Sequence, residues 1–130
     1  MHAATDPAIG AQGPATATTT ALAEARRWYV QRISAMVLAV CVLIHLGVIV
    51  YAVRGGLSAA EILGRTRGSW AFGAFYSVFV VASAVHVPIG AAVIAREWAG
   101  LGPRAALWVG RALALLLLLT GLRAVVAVVA

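Results

Sequence analysis

Three long apolar stretches, roughly Val30–Val53, Trp70–Ala95 and Ala105–Ala130, govern what this chain can fold into. Each is longer than the ~20 residues that carry a helix across a hydrocarbon layer about 30 Å thick. No water reaches that layer, so a backbone crossing it must satisfy its own N–H and C=O groups. Over such lengths a helix does this within one segment. The sequence therefore predicts an all-α membrane protein with three transmembrane helices, at about residues 30–53, 70–95 and 105–128. Composition agrees, since 63% of the 130 residues are hydrophobic and 11% are charged. A chain so poor in charge cannot cover a water-facing surface.

The segments between the helices are legible as well. Residues 1–22 are small and polar, rich in Ala, Thr, Gly and Pro, and predict a disordered N-terminal tail ahead of a three-helix membrane anchor at 23–130. They lack a basic stretch followed by an apolar one, which argues against a secretory signal. Trp28 and Tyr29 suit the membrane–water boundary. Gly55 and Gly56 end the first helix. Ser58 followed by Glu61 forms a capping-box pattern, predicting a short interfacial helix over SAAEILG. Gly100, Gly102 and Pro103 break the second connection, which is short enough to make its flanking helices antiparallel neighbours. The single cysteine, Cys41, lies inside the first span and reads as a small apolar filler.

The formal net charge is +6, and all ten basic residues are arginines that mostly flank the apolar runs. That distribution belongs to topology anchors and lipid partners, not to a nucleic-acid-binding stripe. Six arginines (26, 27, 32, 96, 104 and 111) fall on the N-terminal side or in the second connection, against three (54, 65 and 67) in the first connection. In a bacterial inner membrane this bias places the N-terminus in the cytoplasm.

Two imidazoles stand within the apolar runs: His45 in VCVLIHLGVIV and His86 in SAVHVPIGAA. An ionisable ring inside a bilayer is costly without a partner, and each is a candidate functional residue for that reason. It can ligate haem, relay protons, or hydrogen-bond a neighbouring helix. His45 lies ~20 Å along the axis from Arg32, and His86 lies ~15 Å from Arg96. If those arginines share one level, the rings differ in depth by only ~5 Å, which permits either two haems or one haem shared within the chain. Gly90, one turn after His86, leaves room for a flat macrocycle against the helix. Gly121 suggests a close helix contact in the third span.

Two motifs add a resemblance. QRISA (Gln31–Ala35) resembles the H-R-x-S-G signature of the cytochrome b membrane-anchor subunit of succinate dehydrogenase and fumarate reductase. HVPIGAAVIARE (His86–Glu97) resembles that family's second-helix motif, H-x-x-x-G-x-R-H-x-x-x-D. The resemblance covers roughly residues 26–98. It implies a haem b-binding anchor that passes electrons between an iron–sulfur subunit and membrane quinone. The implied partners are that iron–sulfur subunit, a flavoprotein subunit and a second small membrane anchor subunit.

Carried across by position, His86 becomes the axial haem ligand and Gly90 the glycine that admits the ring. Arg32 becomes a partner of haem propionate or quinone, and Ser34 a quinone residue. His45 falls where two-haem relatives place a further ligand. Ala92 and Val93 replace an Arg-His pair, leaving Arg32 or Arg96 to compensate; Gln31 replaces a histidine and Ala35 a glycine. Arg32 and Ser34, with Trp28 and Tyr29 beside them, offer the donors and the boundary position that a quinone head needs. The chain carries no flavin fingerprint, cysteine cluster or dicarboxylate site, so chemistry on succinate belongs to other subunits. The alternative is a small proton-conducting transporter or channel subunit that uses His45 and His86.

Overall fold

The computed structural model describes residues 14–130, which form four helices: α1 (Pro14–Arg54), α2 (Ala59–Thr66), α3 (Trp70–Glu97) and α4 (Pro103–Val129). Three of them, α1, α3 and α4, are long and apolar enough to cross a membrane. The fold is the predicted all-α, three-span arrangement, and the ends of α3 and α4 lie within two residues of the expected ones.

The first helix departs from expectation at its start. Residues 14–22, expected within the tail, are helical, while residues 1–13 lie outside the described residues. Proline is well accommodated at a first helical position, and no glycine or further proline follows before Gly47. Once the apolar segment has formed a helix, each added residue gains a hydrogen bond without a new nucleation cost. The 41 residues of α1 extend ~60 Å, about twice the hydrocarbon thickness. Its first turns therefore project beyond the bilayer.

On the opposite side, α2 begins with the predicted capping box. The Ser58 N–H and hydroxyl donate to Glu61 Oε2 at 2.8 and 2.7 Å, and the Glu61 N–H donates to Ser58 Oγ at 3.3 Å. These bonds hold the Glu61 carboxyl below its ordinary value. Capping is therefore complete above the usual carboxylate range and fades as pH falls through the lowered value.

α3 is the central element and packs on both α1 and α4, which scarcely touch one another. Lipid supplies no hydrophobic drive between helices, so close approach depends on small residues. Ala82, Ala84, Ala106 and Gly110 are buried here. A Cβ on Gly110 would lie 3.1 Å from the Pro88 carbonyl oxygen, and one on Gly121 would lie 2.7 Å from both methyls of Val80. The close contact suggested at Gly121 is thus present.

The free end of α4 is closed by the segment before α3. The Thr66 hydroxyl donates to Val128 O at 2.8 Å, and the Gly68 N–H donates to Val129 O at the same distance. Terminal carbonyls have no partner within their own helix, and these bonds satisfy two of them. Gly68 reaches its carbonyl from φ +68, a conformation that favours glycine. We expect Thr66→Val to destabilise the chain by about 1 kcal/mol. Thr120→Val serves as the control, since that exposed hydroxyl bonds only its own helix at Leu116 O. Unfolding in detergent micelles checks the difference.

Candidate functional site

The centre of the α1–α3 seam is polar at one point. Ser34, 7% exposed, lies with Oγ 3.1 Å from Gln31 O and 3.3 Å from His86 Nδ1. A carbonyl only accepts and a serine hydroxyl has one proton to give. Both contacts can therefore be hydrogen bonds only if Ser34 donates to Gln31 O and accepts from a proton on His86 Nδ1. That tautomer leaves the lone pair of a neutral imidazole on Nε2. Nε2 has no hydrogen-bond partner among the described residues, and it is not buried. A ring so arranged can ligate a metal, because metal-bound histidines usually donate their other N–H to a neighbour.

One turn on, Gly90 leaves a notch. A Cβ there would meet only Gln31 Nε2, at 3.4 Å. Gln31 Oε1 is buried without a partner, an unmet polar atom beside the notch. Gln31, Ser34, His86 and Gly90 thus form one cluster. Among the described residues no three His, Cys, Asp or Glu side chains converge as they would around a naked metal ion. A porphyrin iron needs only one imidazole from a chain, so the cluster fits haem.

His45 stands elsewhere. Its ring packs edge-on against Tyr76 and Phe79, with centroids 5.8 and 5.9 Å away. The anticipated ~5 Å difference in depth is not observed, because Ser34 lies level with His86. His45 is eleven residues further along α1, a rise of ~16 Å. The helices are staggered so that Gln31 faces Gly90, and Arg32 and Arg96 are not at one level. The two imidazoles therefore cannot share one iron within this chain.

His45 Nδ1 is buried without a partner. A proton there would be an unsatisfied buried donor, costing roughly 1–3 kcal/mol. With the proton on Nε2 instead, Nδ1 is an unsatisfied buried acceptor, so no partner fixes the tautomer of this ring. Ser83, between the two rings on α3, donates to Phe79 O of its own helix at 2.8 Å.

The group Arg32, Ser34, Trp28 and Tyr29 is divided by the fold. Tyr29 and Ser34 line an apolar groove of about 530 Å³ with Val30, Ile33, Val81 and Val85. Trp28 and Arg32 line a second cleft of about 580 Å³ with Gln31, Arg27, Arg96 and Arg111. Residues two apart on a helix point ~160° from each other, and so Arg32 and Ser34 serve different openings. Arg32 instead lies over the Trp28 ring at 5.3 Å. Sequence reasoning passed over the aromatic surroundings of His45, although Phe72, Phe75, Tyr76 and Phe79 recur at helical spacing.

No family model matches the chain, and neither a curated protein nor a solved structure shows significant similarity to it.

Proposed function

We propose that this chain is the haem b-binding membrane anchor of a succinate:quinone oxidoreductase of the bacterial inner membrane, with its N-terminus in the cytoplasm. The observation that carries the reading is the His86–Ser34–Gln31 arrangement, which leaves an imidazole lone pair available beside the Gly90 notch. When bound, haem supplies a one-electron carrier between the iron–sulfur subunit and quinone. The protein's own residues divide the remaining work. His86 holds the iron through Nε2, Ser34 fixes its tautomer, and Gly90 admits the ring. Arg32 lines the neighbouring cleft together with Gln31 and would be the cation for a propionate. His45 is not assigned a haem.

The groove lined by Tyr29 and Ser34 is walled by valines and isoleucine, which suits the apolar tail of a quinone. Dicarboxylate chemistry takes place in the flavoprotein subunit. Reduced-minus-oxidised spectra of the isolated complex test the assignment. A reducible b-type band is expected, and a complex without this chromophore overturns it.

Ser34→Ala removes the acceptor for the Nδ1–H. It should weaken haem retention about tenfold or more and raise the midpoint potential, since a less basic imidazole stabilises ferric iron less. Ser34→Thr restores the oxygen and should restore both properties. Haem content and potentiometric titration check this pair.

A further inference from the structure

We propose that the cleft between α1, α3 and α4 binds the head group of an anionic phospholipid, with Arg27, Arg96 and Arg111 as the cations that hold it. The haem–quinone assignment uses none of these three, and the inference does not depend on it. His86 precedes Arg96 by ten residues, ~15 Å along α3, which separates Arg96 from a haem at the His86 level, whereas Arg111 follows Gly110, which packs on Pro88.

The cleft has the chemistry of an amphiphile site. Four arginines line it, with Arg32 the fourth, and no carboxylate does. None of the four forms an ion pair among the described residues. Clustered like charges beside a low-dielectric wall repel one another, and an anion between them relieves this. The cations are also pre-arranged. Arg111 lies over the Trp108 ring at 5.2 Å, and Arg32 lies over Trp28. Stacking on an indole orients a guanidinium while leaving its N–H fork free for a phosphodiester. The walls between these arginines are apolar, with Pro88, Ile89, Ala92 and Leu107. A free phosphate would leave those walls uncovered, whereas a lipid covers them with its glycerol and upper acyl chains. A zwitterionic choline head would bring a further cation among four.

The other membrane face provides a control. Arg65 and Arg67 flank the end of α2, and neither lines this cleft. The test uses the detergent-solubilised complex, stripped of lipid and exposed to vesicles of phosphatidylglycerol in phosphatidylcholine. Retained lipid is then read by native mass spectrometry. Phosphatidylglycerol should be retained in preference to phosphatidylcholine, and short-chain glycerol phosphate should not displace it.

R96Q/R111Q should lower its retention about thirtyfold, each guanidinium beside an anionic head group being worth roughly fivefold. R65Q/R67Q should leave retention unchanged. R96K/R111K preserves the charge and should retain most of the binding, which keeps the test valid if the glutamine pair fails to assemble. Equal retention of the two lipids, displacement by glycerol phosphate, or equal losses in the cleft and control variants would overturn the proposal. It would equally fail if R96Q/R111Q abolished the b-type band while lipid retention stayed unchanged, because the cleft would then serve haem. A missing b-type band in the unaltered complex, with selective lipid retention intact, would sink the haem reading alone.

Discussion

His86→Ala should remove the reducible b-type absorption band expected of the assembled complex, and His45→Ala should leave it in place. The contrast follows from tautomers. His86 Nδ1 has a buried serine oxygen to receive its proton, which frees Nε2 for iron. His45 Nδ1 has no partner in either tautomer, so nothing holds that ring with Nε2 free, and it packs edge-on against Tyr76 and Phe79. Iron ligation is not graded like packing, and without His86 the cluster would offer an iron no imidazole. We expect the band to fall to background in His86→Ala and to change by less than about a quarter in His45→Ala. The latter should cost only ~1 kcal/mol of stability, as for a weak interhelical contact. Difference spectra of complexes matched for subunit content check both results. Loss of the band in His45→Ala alone would reverse the assignment.

Gly121→Ala should destabilise the chain by about 1–3 kcal/mol, the usual range for an overpacked contact, with larger residues preventing assembly. A single added methyl would sit 2.7 Å from both Val80 methyls. Val80 is β-branched and stiff in a helix, so it cannot swing aside. Separating α3 from α4 is the remaining response, and this also opens the buried approach of Gly110 to Pro88. Val80→Ala should recover most of the loss in the double variant, as expected for two residues that couple directly. Gly47→Ala is the control, because nothing lies within 4 Å of its added carbon. Unfolding in detergent provides the measurement, and a neutral Gly121→Ala would contradict the described packing.

Much of the architecture follows from local rules that a sequence displays. Hydrocarbon thickness sets the three spans, and Ser58 with Glu61 sets the start of α2. Gly100 and Pro103 fix the connection between α3 and α4. The length of α1 was less legible, because a polar Thr–Ala run can extend an existing helix although it would not nucleate one. Within the site, the spacing of His86 and Gly90 was readable along one helix.

The stagger between helices was not. Aligning Arg32 with Arg96 assumed that both mark one membrane plane, yet long arginine side chains reach the boundary from different depths. The division of Arg32 from Ser34 follows from helical rotation and could have been derived beforehand. Pairing Ser34 with His86 required the fold, since 52 residues separate them in sequence.

Pulsed electron paramagnetic resonance on a selectively labelled chain tests the central claim most directly. The three histidines are His2, His45 and His86. With His2 and His45 replaced by alanine and glutamine, His86 becomes the chain's sole imidazole and can carry ¹⁵N. Reconstituted with unlabelled partners, the oxidised complex should show strong ¹⁵N hyperfine coupling to low-spin ferric haem. A haem signal without ¹⁵N coupling would mean that iron takes no ligand from His86.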